Sequence, residues 1–108
     1  MSMRPAIHPG EILAAELEAI AVTPTELARQ LRVPANRITQ IIQGKRAITG
    51  DTALRLGHWF GTSAQFWLNL QSAYELRVAA QQSGGEIARL PTRGATSAAG
   101  RVTRAGAR

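Results

Sequence analysis

Apolar residues recur at helical spacing along most of the chain, and no stretch shows the strict alternation that marks a strand. Ile12, Leu13, Leu17 and Ile20 form one stripe behind His8-Pro9-Gly10-Glu11, where proline suits the first helical position, so a first helix starts there. A second opens at Thr23-Pro24-Thr25-Glu26 with the spacing of a capping box, in which the Thr23 hydroxyl accepts from the Glu26 amide and the Glu26 carboxylate reaches back. Leu27, Ala28 and Leu31 then face inward. Only Arg32-Val33-Pro34 separates this helix from the next, too short a break for antiparallel neighbours, so the two cross steeply as in a helix-turn-helix. The third helix runs from Pro34 to Gln43, with Ile38, Ile41 and Ile42 on its buried side. It stops at Gly44, which reaches left-handed geometry without strain. Thr49 is expected to cap a fourth helix that continues through Phe60 to a stop at Gly61. Thr62-Ser63-Ala64-Gln65, again with capping-box spacing, opens a fifth from Ala64 to about Gln81.

The pattern therefore predicts an all-α, five-helix domain over residues 1–81. Its last helix has the widest apolar surface: Phe66, Trp67, Leu70, Ala73 and Tyr74 make one stripe, and Leu68, Leu76 and Val78 carry it around the cylinder. Either the small core consumes all of that surface or part of it is a dimer seam, which Phe66, Trp67, Leu70 and Tyr74 would form. From Gln82 onward Gly, Ala, Ser, Thr and Arg dominate, and Ile87, Leu90 and Val102 stand isolated. So little apolar area does not offset the entropy of ordering the chain, and residues 82–108 are expected to be a disordered, basic, flexible tail.

With 108 residues the chain has room for one small domain. No run of eighteen apolar residues suggests a membrane span. The start, Met1-Ser2-Met3-Arg4-Pro5, lacks the apolar stretch of a secretory signal. Cysteine is absent, which excludes disulfides and thiolate metal sites. A cytoplasmic protein is the expectation. The net charge of +6 suits a polyanionic partner, and its distribution says more than its size. Arg29, Arg32, Arg37, Lys45 and Arg46 lie between Leu27 and Gly50 with no acidic residue among them. The tail carries five arginines against Glu86 alone, four of the six net charges.

The exposed side of the third helix presents Asn36, Arg37, Thr39, Gln40 and Gln43. These side chains suit major-groove reading: Asn or Gln bonds adenine in bidentate fashion, Arg bonds guanine likewise, and Thr meets a thymine methyl. Asn36 and Arg37 occupy the first turn, the part of a recognition helix that enters the groove deepest, and Gln40 follows one turn on. Asn36, Arg37, Thr39 and Gln40 are thus the candidate base readers. Lys45 and Arg46, past Gly44, suit the phosphate backbone, as do Gln43 and, at the head of the second helix, Thr23. A polar helix face is usually just solvated. Here it coincides with a helix-turn-helix spacing and an acid-free basic stretch.

Leu27 to Arg46 resembles the phage-repressor-like (Cro/C1, Xre) helix-turn-helix class. His8-Pro9-Gly10-Glu11-Ile12-Leu13, Ala47-Ile48-Thr49-Gly50-Asp51-Thr52-Ala53-Leu54-Arg55-Leu56 and the run from Phe66 to Leu76 narrow the likeness to the HigA branch of antitoxins, over about Ile7 to Ala79. That resemblance implies a homodimer that represses its own operon at a palindromic operator in double-stranded DNA and neutralises a HigB/RelE-like messenger-RNA-cleaving toxin. The other reading is a solitary Xre-family repressor without a toxin. Arg32 departs from the family, which usually has glycine in the turn; at positive φ a side chain costs roughly 1–2 kcal/mol.

No enzyme is expected. His8 and His58 are far apart and lack cysteine neighbours, so neither metal nor cofactor is implied; His8 reads as a helix-start residue and His58 as a surface or core-edge one. Glu11, Glu16 and Glu18 lie on an amphipathic surface helix, and Asp51 and Thr52 belong to a helix's first turn. Asn69 and Gln71, amid the aromatic helix, are left as candidate interface contacts.

Overall fold

The computed structural model describes residues 5–94. Five helices follow in the predicted order: α1 (Pro9–Ala19), α2 (Pro24–Leu31), α3 (Ala35–Ile42), α4 (Gly50–Phe60) and α5 (Ala64–Ala88). The chain divides into two units, Met1–Val78 and Ala79–Arg108. The first holds the helix-turn-helix, in which α2 packs on α3, α1 on α3, and α2 on α4. Its core comprises Leu13 and Leu17 of α1, Leu27, Ala28 and Leu31 of α2, Ile38 and Ile41 of α3, Ile48 of the following loop, Ala53 and Leu56 of α4, and Trp67 of α5.

Two helix starts follow the expected chemistry. His8 caps α1 through Nδ1, which accepts from the Gly10 amide at 2.9 Å. Thr23 caps α2 through Oγ1, which accepts from the Glu26 amide at 3.1 Å. The other half of that capping box does not form. The Glu26 carboxylate is taken instead by Arg29 and Gln30, three and four residues on, where a charge-assisted pair outcompetes the backbone. Thr49 precedes α4 in extended geometry but makes no side-chain cap. At α5 the cap is Ser63, whose Oγ accepts from the Phe66 amide at 3.0 Å. The Thr62 hydroxyl is occupied by the indole N–H of Trp67, also at 3.0 Å, because a buried indole must find an acceptor.

The helix ends share one device. Ala21, Arg32 and Gly44 stand at φ 57, 60 and 78°, and each lets the next amide return to a carbonyl of the last turn. The bonds are Val22 to Leu17, Val33 to Ala28 and Lys45 to Gln40, at 3.0, 3.0 and 2.8 Å. Arg32 thus has the positive φ at which its side chain is strained. Gly10 answers a different need. A Cβ there would lie 1.8 Å from the Ile41 carbonyl oxygen, so the absence of a side chain is what lets α1 lie against α3.

The fifth helix corrects the expectation twice. It continues past Gln81 to Ala88, so residues 82–88 are helical. Extending an existing helix adds one hydrogen bond per residue without a new nucleation step, which lets it run through Ser83-Gly84-Gly85 despite their poor propensity. This stretch belongs to the second unit, in which a turn follows the helix, with the Arg89 and Leu90 amides bonding back to Glu86 and Ile87. The flexible-tail expectation for residues 95–108 lies outside the described residues. Trp67, expected at a dimer seam, is 1 % exposed and packs between Phe60 and Phe66, with ring centroids 5.3 and 5.2 Å away. Its bulk and its bonded N–H make it a core residue. Phe66 is exposed, and Leu70 and Tyr74 are half-buried. No described helix is long and apolar enough to cross a membrane.

Candidate nucleic-acid interface

The surface is built on α3, whose two faces separate by side-chain spacing. Ile38 and Ile41 are wholly buried, while Asn36 and Gln43 are exposed and Gln40 half-exposed on the opposite side, one turn apart from each neighbour. The Thr39 hydroxyl donates back to the Ala35 carbonyl at 3.3 Å, so its proton is spent within the helix and its methyl and the oxygen's lone pairs are what remain to offer. Beyond Gly44, Lys45 and Arg46 stand exposed, and Arg46 Nε donates to Gln40 Oε1 at 3.0 Å. That bond ties a candidate phosphate contact to a candidate base reader. Thr23, at the head of α2, lines a groove of about 410 Å³ with Ala14, Leu17, Val22 and Ile42, so it lies beside the C-terminal end of α3.

Two of the five basic residues in the acid-free stretch are paired with carboxylates just outside it. Arg29 bonds Glu26, whose carboxyl is held down at about 2 by Arg29 first and Gln30 second. Arg37 reaches across to α4, where its Nη1 meets Asp51 Oδ2 at 2.5 Å. The same oxygen receives Arg55 Nε at 2.9 Å, and the two guanidinium groups, Arg55 foremost, hold Asp51 below its ordinary value. Arg55 is anchored again by Nη1 on the Leu31 carbonyl at 2.7 Å, a link from α4 to the end of α2.

Other residues hold the surface in place without belonging to it. Gln71 is buried, with Oε1 accepting from the Ile48 amide at 2.9 Å and Nε2 donating to Glu75 Oε2 at 2.8 Å. It fixes the loop that carries Lys45 and Arg46, so it is a structural residue and not an interface contact. Asn69 is exposed and accepts from Gln65 Nε2 at 2.9 Å. His8 is buried against Tyr74, ring to ring at 4.8 Å edge-on; burial pushes its pKa down and nearby Glu11 opposes that in part. Sequence reasoning assigned Asp51 to a helix start and passed over Arg55. No local pattern signals a contact between residues 14 apart on different helices.

A tight turn between α2 and α3, a polar outer face on α3 and an apolar inner one define a helix-turn-helix of the phage-repressor class. No family model matches the chain. Virulence-associated protein I of Dichelobacter nodosus is 51% identical over 78 residues, 71% of this chain and 72% of that protein. Among solved structures, an addiction module antidote protein of the HigA family from Coxiella burnetii is 49% identical with a TM-score of 0.81, covering 82% of this chain and 98% of that one. The Pseudomonas aeruginosa antitoxin HigA, solved with the higBA promoter, is 44% identical with a TM-score of 0.79 over 82% and 98%. The chain belongs to the HigA family of helix-turn-helix antitoxins.

Proposed function

We propose that this protein is a cytoplasmic, DNA-reading antitoxin, a binding protein without catalysis of its own, that represses its own operon and neutralises a HigB/RelE-like messenger-RNA-cleaving toxin. The observation that carries the DNA-reading half is the outer face of α3, where exposed Asn36 and half-buried Gln40 stand opposite fully buried Ile38 and Ile41, with half-buried Arg37 beside them and turned toward α4. Side chains set on so rigid a support lose little freedom on meeting a base edge. Two copies reading a palindromic operator is the arrangement that a helix-turn-helix dimer favours. The seam falls to α5, with exposed Phe66 and Leu76 and half-buried Leu70 and Tyr74. The toxin half rests on family membership.

Co-expression with the product of the adjacent gene tests the whole reading. A small basic ribonuclease-like protein is expected to co-purify and to lose its toxicity, and the complex to bind the DNA upstream of its own coding region. A chain that binds that DNA but retains no neighbouring gene product is a solitary repressor. Sedimentation of the wild type as a monomer at high concentration contradicts the dimer.

A further inference from the structure

Asp51 stands in the first turn of α4, yet its carboxylate is committed to α3. Oδ2 receives Arg37 Nη1 and Arg55 Nε. The three differ in how firmly they are held. Arg55 has a second anchor on the Leu31 carbonyl, whereas Asp51 is the side-chain partner of Arg37 among the described residues. A guanidinium has five N–H donors, so one spent on Asp51 leaves others free for a base edge without any movement of the side chain. A phosphate makes a different demand. To reach the backbone, Arg37 must leave an ion pair already formed, and the phosphate must approach a fixed negative charge.

We infer that Asp51 is a specificity-determining positioning residue: it holds Arg37 half-buried at the flank of α3, beside the polar face and ready for a base, and withholds it from the phosphates that every duplex offers. This rests on α3 being the reading helix. Because non-specific affinity comes almost wholly from neutralised phosphates, a carboxylate that occupies one arginine lowers affinity for wrong sequences more than for the right one. The carboxylate thereby widens the gap between them.

The test is a fluorescence-anisotropy titration from about 50 to 200 mM salt. It uses the duplex that wild-type protein selects from a randomised library and a scrambled duplex of the same composition. Asp51→Asn keeps the size of the side chain and cancels its charge. The variant is expected to bind the scrambled duplex more tightly, with a salt slope steeper by about 0.9 for the one freed arginine. The ratio between the two duplexes falls about tenfold, the order of discrimination carried by one bidentate base contact. Asp51→Glu, which restores the charge, brings the ratio back. In an Arg37→Ala background, Asp51→Asn changes the ratio by less than about twofold, because the partner it acts through is gone. An unchanged ratio in Asp51→Asn, or an equal fall with and without Arg37, overturns the inference while leaving α3 as the reading helix. Failure of the wild type to select any duplex overturns both.

Discussion

Gly10→Ala separates local propensity from packing, because the two predict opposite signs. Alanine inside a helix is better than glycine by about 1 kcal/mol, so on propensity alone the change at the second residue of α1 stabilises. In the fold, the added Cβ would lie 1.8 Å from the Ile41 carbonyl oxygen, 2.7 Å from its carbon and 2.9 Å from Ile42 Cα. All three are backbone atoms of α3, so no rotamer change relieves the clash. Reaching an ordinary contact of about 3.4 Å requires α1 and α3 to part by about 1.6 Å at this point, opening the core around Leu13, Ile38 and Ile41. Overpacking typically costs 1–3 kcal/mol, and a backbone clash belongs at the upper end. After the propensity gain, a net loss of about 2 kcal/mol is expected, or a fall in Tm of about 8–16 °C for a domain of this size. Urea unfolding followed by circular dichroism measures it, with a lower midpoint at an unchanged slope. A midpoint that stays put or rises would falsify the close approach of α1 to α3.

Arg32→Gly removes strain at φ 60° and, after the extra freedom glycine has when unfolded, raises stability by about 0.5–1 kcal/mol; thermal unfolding at or below the wild-type Tm contradicts this. Gln71→Ala orphans the buried Ile48 amide, costs about 1–3 kcal/mol and speeds hydrogen exchange at Ile48, whereas unchanged exchange there shows that the loop is held by something else. Stability also depends on pH in two windows. The lowered pKa of His8 favours its neutral form in the fold, so its contribution is full above 6.5 and is lost as pH falls through the lower folded value. Glu26, depressed from 4.5 to about 2, contributes fully above 4.5 and loses that contribution as pH falls toward 2. His8→Asn keeps a capping side chain and removes the upper step; persistence of that step in urea titrations assigns it elsewhere.

Much of this was legible in the chain because helix starts and stops are local. His8, Thr23, Gly44 and Gly61 each act within a few residues of their own position, and the Ile38–Ile41 spacing alone orients α3. What stayed hidden depends on pairs brought together by the fold. Arg37 reads as a free base reader until Asp51, on another helix, closes on it. Gln71 reads as an interface residue until the amide of Ile48, 23 positions earlier, is found against it. Trp67 belongs to the same apolar stripe as Phe66, and no periodicity distinguishes the ring that fills the core from its exposed neighbour. The length of α5 is hidden for a different reason: the composition from Gln82 onward offers too little apolar area to order a free chain, but residues 82–88 are added to a helix that already exists.

That α3 reads the bases is tested most directly by repeating the selection from a randomised duplex library with single variants. Asn36→Ala, Arg37→Ala and Gln40→Ala should each relax preference at a different base pair, by about 1–3 kcal/mol. Lys45→Ala should weaken every duplex alike and reduce the salt slope by about 0.9. If all three face variants select the wild-type sequence with undiminished preference, α3 is not the helix that reads the operator.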